Sequence, residues 1–407
     1  MVGSGSNAVD GKHLLVLGAG PAQLGFLRRA RESGCLVIAC DRDPGAPGFR
    51  YADRRAILSA EDETGIERLA RAEAAEGLIA PGIDWPVAIA ARIASRLRLR
   101  HPLDPQTAAA AVSKLRQRTR FSEAGVPQPR WQLVRSAAEK PEIDPPWIVK
   151  PPDRQGQRGL SVVDDAGGLS GAIERALEAS RSRACLLEEL VEGPEITVNA
   201  FSADGVFHPL TVTDRLTADP PAFGVALAHA WPSAVATEAC VDAARAAAEA
   251  VGVREGPTYT QLRVGPDGPR VLELAARLGG GHDAELCEVA LGVDLNGLAL
   301  AAALGERPGV PGAKPVGGAC VRFLVPPEGV LRAVEGLDEA AAVDGVLEVS
   351  IYRGPGWRYE PFRSGSDRAG FLLVRGESRD DALERADRAA ERIRFETVDV
   401  EAPAQRT

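Results

Sequence analysis

Three stretches of the chain place residues suited to phosphate chemistry in one order. Lys150 closes the apolar run WIVKPP, where its ammonium can reach a phosphate beside it. The following loop, PPDRQGQRGL over residues 151–160, carries Gln155, Gly156 and Gly159, so backbone N–H groups can close over a polyphosphate. Further on, LLEELVEGPE spaces Glu188 and Glu195 around a turn. On a strand leading into a connector, that spacing can give one acid and local backbone groups to a base and the other acid to ribose hydroxyls. Each part alone reads as a surface lysine, a hairpin or solvated acids; the ordered conjunction carries the argument.

Other segments leave more than one reading open. VLELAARLGGGHDAE ends a buried-looking strand on Glu273, then sets Arg277 and the glycines Gly279, Gly280 and Gly281 beside it. His282 and Asp283 follow, either as a substrate contact or as a hydrogen-bonded turn. Asp214 and Arg215 in TDRL are either a contact for an amine and a carboxylate or an exposed ion pair. GAGPAQLG has Gly18 and Gly20 at a strand end, with Asp41 placed like the ribose-binding acid of a dinucleotide fold, but Gln23 stands where a third glycine belongs. A nicotinamide oxidoreductase is therefore a live alternative.

These residues need a scaffold, and bulk properties limit its kind. A chain of 407 residues with 45% apolar and 26% charged residues is globular and long enough for two or three domains. A net charge of -9 argues against nucleic acid or an anionic membrane as partner. No apolar run approaches a bilayer span and the N-terminal residues lack a signal-peptide pattern, so a cytoplasmic location is expected. Six cysteines without CxxC spacing suggest core filling, not zinc or disulfides. Arginine is so preferred that the five lysines stand out, which adds interest to Lys114 and Lys150.

Periodicity predicts a parallel α/β unit over residues 1–106, built from HLLVLGAG, CLVIACD and GLIAPG, with Thr64 and Glu67 at capping-box spacing ahead of a helix. Its functional edge is expected at Gly18–Gly20, Asp41 and residues 82–84. A second unit over 107–310 holds the phosphate-type residues, with a strand-rich part at about 128–200 and a hairpin at GPDG. Gly and Pro density near 306–318 marks a seam before a small α+β region, 311–407, whose last helix is capped by Ser378 and Asp381.

With these motifs in hand, the sequence resembles the ATP-grasp superfamily along nearly its whole length. The stretch from LVLGAGPAQLG to FRYAD is similar to the Rossmann-like N-terminal domain of its carboxylate–amine ligases, and VSKLRQRTRFSEAGVPQP to the segment bearing a first ATP lysine, here Lys114. The resemblance implies Lys150 as the second lysine, Glu188 near the adenine amine, backbone of Glu189 and Val191 along the base edge, and Glu195 on the ribose. It implies Glu273 on Mg2+ and Arg277 on the transferring phosphate or a bound carboxylate. The C-terminal region looks most like that of L-amino-acid ligases, with a biotin-carboxylase-like end. Two departures stand in the metal motif: Gln261 where many relatives have an acid, and Ala275 where an asparagine is common.

The resemblance implies an ATP-grasp fold, ATP with one or two Mg2+ ions that Mn2+ can replace, and a homodimer. The implied reaction joins a small carboxylate, of an amino acid or similar acid, to an amine through an acyl phosphate. Gly279, Gly280 and Gly281 would admit the carboxylate and Arg277 would clamp it. A bicarbonate- or formate-using ATP-grasp activity, the nicotinamide oxidoreductase, and nucleotide binding without turnover are the rivals.

Overall fold

A computed structural model describes residues 9–154 and 157–399. The chain begins with β1 (His13–Leu17), β2 (Leu36–Asp41), β3 (Arg54–Ile57) and β4 (Gly77–Ile79), all parallel in the order β3-β2-β1-β4. Leu14, Leu15, Val16 and Leu17 are all buried, as a parallel strand covered on both faces requires. The covering helices are α1 (Leu24–Glu32), α2 (Glu63–Ala72) and α3 (Asp84–Leu97). The strand β3 escaped the sequence reading because RRAI has almost no buried residue. The cap of α2 also differs from expectation: Asp62 accepts from Gly65 N, leaving Thr64 inside the first turn, and aspartate is the better cap.

The glycine turn after β1 is braced from within its own domain. Asp41 accepts from Ala19 N at 2.8 Å and from Asp43 N at 3.0 Å, so its carboxylate braces the turn. A Cβ on Gly18 would lie 3.1 Å from Cδ of the buried Gln23, which fills the space beside it. The residues that resemble a dinucleotide fingerprint thus make contacts within the turn itself.

Asp104 and Ser113 cap two consecutive helices, α4 (Pro105–Ala111) and α5 (Lys114–Ala124), and the second cap sets Lys114 at the first helical position. A separate antiparallel sheet follows, β5 (Trp131–Val134), β6 (Trp147–Lys150), β7 (Ser161–Val163) and β8 (Cys185–Glu189), ordered β5-β8-β6-β7. With α6 (Ala166–Ala179) it encloses its own core of Trp147, Val149, Ile173 and Leu187.

The central sheet starts with β9 (Glu195–Ala203), β10 (Val206–Thr217), β11 (Ala226–Trp231), β12 (Gly256–Gly265) and β13 (Gly268–Ala275). The C-terminal region supplies β14 (Gly318–Leu324), β15 (Gly329–Glu335), β16 (Val346–Ile351), β17 (Arg358–Tyr359), β18 (Gly370–Gly376) and β19 (Arg394–Val398). Of these, β14, β18 and β16 extend the central sheet to eight strands, in the order β13-β12-β9-β10-β11-β14-β18-β16. Thus the C-terminal region shares a sheet with the middle of the chain; β15, β17 and β19 form a small sheet of their own.

The edge strand β13 meets α5 where a further strand would otherwise pair. Gln117 donates to Leu274 O at 2.7 Å and accepts from Leu274 N at 3.0 Å, while Arg118 donates to Val271 O and Leu272 O at 3.1 and 2.7 Å. Two side chains thereby satisfy the edge that carries Glu273. All six cysteines are free and buried. Among the described residues no helix is long and apolar enough to cross a membrane.

Candidate active site

Alternation along β9, β10, β12 and β13 aims one row of polar side chains at a cavity of about 310 Å³ between the central sheet and the β5–β8 sheet. Glu195, Arg215, Gln261, Arg263 and Glu273 all line it from those strands. Lys114, Lys150, Glu188, Glu189 and Val191 line it from α5 and from the second sheet and the connector after it, and Asp84 from the start of α3.

At one end, Lys150 Nζ lies 2.8 Å from Glu188 Oε2, and Arg118 Nε donates to Glu188 Oε1 at 2.9 Å. Burial opposes ionisation of Glu188, but the positive charges of Arg118 and Lys150 outweigh it and hold the carboxyl down at about 2. For Lys150 burial dominates, lowering its pKa despite Glu188, and Arg118 and Lys114 add to the drop. Glu189 turns its carboxylate to Arg130, at 2.6 Å, and Val191 offers its carbonyl to Arg263 Nη1 at 3.0 Å. Glu195 is paired with Arg215 on the neighbouring strand, and with Arg263 at 3.5 Å.

Lys114 Nζ sits 2.9 Å from Glu273 Oε1 and donates to Arg154 O at 2.8 Å, tying the start of the glycine loop to α5. Burial would lower the Lys114 pKa, but Glu273 overrides it and the net shift is upward. In the same loop Gly159 has φ +74°, and a Cβ there would lie 2.7 Å from Ala179 Cβ. Gln155 and Gly156 lie outside the described residues. Gln261 is the cross-strand partner of Glu273, and its amide N–H meets Tyr259 Oη at 3.1 Å. That leaves the Gln261 carbonyl oxygen available as a ligand atom.

Arg277 is clamped by Asp84, whose Oδ1 lies 2.6 Å from its Nε, and by Leu278 O at 2.7 Å. Gly280 and Gly281 line the cavity. Gly279 serves a different purpose from the one expected: a Cβ there would fall 2.2 Å from Asp283 Oδ2, so its bareness admits a buried side chain.

Two expected contacts turn away from the cavity. His282, at φ +59°, stacks on Phe371 with centroids 3.6 Å apart and meets Tyr352 Oη at 2.7 Å. Asp214 is held by Arg379, by Ser233 Oγ at 2.6 Å and by Ala234 N at 3.1 Å. Because successive side chains on β10 point to opposite faces, Asp214 and Arg215 form neither a shared contact nor an ion pair with each other.

Several residues escaped the sequence reading. Arg118 carried a signal, since it lies four positions after Lys114 and so on the same helix face. His229, from β11, lines the cavity with its Nδ1 3.5 Å from Asp283 Oδ1; burial pushes its imidazole down to about 4, Asp283 notwithstanding. Arg368 lines the cavity as well, its guanidinium 3.6 Å above the Phe323 ring and its Nη2 on Ala226 O at 2.6 Å. Among the described residues its Nε has no hydrogen-bond partner. Burial pulls Arg368 down to about 10.

The arrangement of an antiparallel lid sheet over a central antiparallel sheet, with two lysines, a strand-borne glutamate and an arginine around one cleft, defines an ATP-grasp architecture. Residues 143–285 match the family described as ATP-grasp domain, and residues 322–398 match L-amino acid ligase C-terminal domain 2. Residues 143–285 thus form an ATP-grasp domain.

Among solved structures, the L-amino acid ligase of Bacillus licheniformis superimposes with a TM-score of 0.81 at 21% identity, covering 96% of this chain and 100% of that one. The N5-carboxyaminoimidazole ribonucleotide synthetase of Thermotoga maritima gives 0.75 at 21% identity, covering 95% and 100%. An uncharacterised Sinorhizobium fredii protein is 28% identical over 71% of this chain and 62% of its own length. A formate-dependent phosphoribosylglycinamide formyltransferase of Prochlorococcus marinus is 31% identical over 42% of this chain and 45% of its own. The chain therefore spans about half the length of the curated relatives it matches.

Proposed function

We propose that this chain is an ATP- and Mg2+-dependent ligase working through an acyl phosphate. The carrying observation is the convergence of Lys114, Lys150, Glu273 and Arg277 on one cavity that Glu188, Val191 and Glu195 also line. In that reading Lys150 and Lys114 hold the phosphates of ATP, Val191 and Glu189 flank the base, and Glu195 faces the ribose. A carboxylate oxygen attacks the γ-phosphorus, the bond to the bridging oxygen breaks, and ADP leaves. An amine nitrogen then attacks the acyl carbon, phosphate departs with the electron pair, and the nitrogen loses a proton. Positioning and charge neutralisation suffice for such transfers, without a covalent protein nucleophile.

Among the described residues no three His, Cys, Asp or Glu side chains converge as a self-sufficient metal site. Glu273 and Gln261, directly opposite each other, still offer two oxygens, and Mg2+ is commonly held by one or two carboxylates together with substrate phosphates. Bound there, the ion would neutralise phosphate charge; Glu273 and Gln261 would hold it.

For the acid, the formate-dependent relatives support a one-carbon acid, formate or bicarbonate, as the first reading. An amino acid is the second, supported by the match of residues 322–398. In either case the unpaired Nε atoms of Arg215 and Arg368 suit a substrate bearing a carboxylate or phosphate.

Phosphate release from MgATP, measured with formate, bicarbonate and amino acids, each with and without amines, tests the reading. Release should require one acid, and hydroxylamine should trap a hydroxamate when that acid is formate or an amino acid. If no acid raises release above the ATP-only rate, the ligase assignment is wrong.

A further inference from the structure

Arg118 is 1% exposed and does not line the cavity, yet its guanidinium joins the two sheets that form it. Nε and Nη2 donate to Glu188 Oε1 and Oε2 at 2.9 and 3.2 Å. Nη1 and Nη2 also reach Val271 O and Leu272 O, the residues just before Glu273, and Nη1 lies 3.4 Å from Gln128 Oε1. The arginine thereby fixes the end of β8 to the edge of β13.

The carboxylate it holds is shared. Glu188 Oε2 is also 2.8 Å from Lys150 Nζ, and Lys114 adds a further positive charge nearby. Arg118, Glu188 and Lys150 together carry one surplus positive charge, and of the two cations only Lys150 faces the cavity. Without Arg118, Lys150 would be the main counter-ion of a buried carboxylate, and a buried charge stripped of one partner binds the other more closely. Arg118 is not needed merely to close the β13 edge at Leu274, because Gln117 does that.

We infer that Arg118 is a positioning residue, holding Glu188 so that Lys150 presents its charge to phosphate groups in the cavity instead of neutralising Glu188. This rests on the nucleotide reading proposed above. The chemistry it serves is recognition of a nucleoside di- or triphosphate.

The test is a two-residue cycle on the full chain, with calorimetric affinities for ADP and adenosine in the presence of Mg2+ and a thermal midpoint for each variant. Arg118→Met should weaken ADP by at least about tenfold, the effect expected for breaking a desolvated charge pair, while adenosine changes far less. In a Glu188→Gln background the same change should alter ADP affinity by less than about threefold, because Lys150 no longer has a carboxylate to neutralise. Should Arg118→Met fail to fold, Arg118→Lys supplies the same cycle, since a lysine cannot span Glu188 and both carbonyls. Equal losses in the two backgrounds, or equal losses for ADP and adenosine, would mean a purely structural role and overturn the inference. Absence of ADP binding by the unchanged chain would overturn the nucleotide reading with it.

Discussion

Gln261 stands directly opposite Glu273 on adjacent antiparallel strands, so the candidate metal site carries one carboxylate and one amide. The amide oxygen is a neutral ligand, and Lys114 already neutralises part of the Glu273 charge. Gln261→Glu should therefore lower the Mg2+ concentration needed for half-maximal ADP binding, by about tenfold on the scale of one added charge near a cation. Glu273→Ala should abolish metal-dependent ADP binding and turnover together. Calorimetric titrations of ADP at a series of Mg2+ concentrations measure both; an unchanged metal requirement in Gln261→Glu would remove that pair from the metal site.

Asp84 and Arg277 lie 193 residues apart in the sequence but are joined at 2.6 Å. The acid aims the guanidinium and offsets its charge, so Asp84→Asn should leave Arg277 charged but loosely held. Loss of alignment at a reacting group commonly costs about a hundredfold in rate. The expected outcome is a fall in kcat of about that size with ADP affinity within about threefold, since the proposed nucleotide contacts lie elsewhere. Steady-state kinetics with the accepted acid, beside ADP titration, checks the separation.

Local signals made much of the cavity lining legible, because each part lies within a short stretch: the strand into Lys150, the acids on LLEELVEGPE, and Glu273 with Arg277. The parallel N-terminal sheet was legible for a similar reason, through apolar runs such as LLVL and VIAC. What stayed hidden depends on pairing across the chain. His229 and Arg368 enter the cavity because β11 pairs with β14, and β14 with β18, a register that no local pattern in ALAHAW or SDRAG reveals. His282 and Asp214 misled for the opposite reason: their types suit catalysis, but a left-handed backbone and strand alternation turn them away.

Stability should fall in acid partly through His229. Its folded pKa is depressed from 6.5 to about 4 by burial, so between those values the unfolded chain binds the proton more readily. The neutral imidazole thus contributes stability present above pH 6.5 and lost progressively as pH falls to 4, by ~3 kcal/mol at most for a shift of this size. Glu188, held at about 2, acts in a lower window: its contribution is present above about 4.5 and is lost as pH falls through 2. Urea denaturation from pH 7 to pH 4 should show a steep decline that is shallower in His229→Gln. Parallel curves for the two proteins would rule out His229 as a source of the slope.

Gly279 gives the sharpest steric prediction, because the group that a methyl would strike is buried and bonded. Asp283 is fully buried, accepts from Gly281 N at 3.2 Å, and lies 3.4 Å from Asn199 Nδ2, so it has no free path of retreat. A Cβ at 279 would stand 2.2 Å from its Oδ2 and 2.4 Å from its Cγ. Gly279→Ala should lower stability by about 1–3 kcal/mol, the range for overpacking a filled interior, and displace the loop that carries Gly280 and Gly281. Gly312→Ala is the matched control, since nothing lies within 4 Å of its added Cβ, and it should stay within about 0.5 kcal/mol of the parent. Denaturation midpoints for the two variants, with ADP affinity for each, decide the matter: a Gly279→Ala protein as stable as its control would mean that Asp283 is not held where this packing places it.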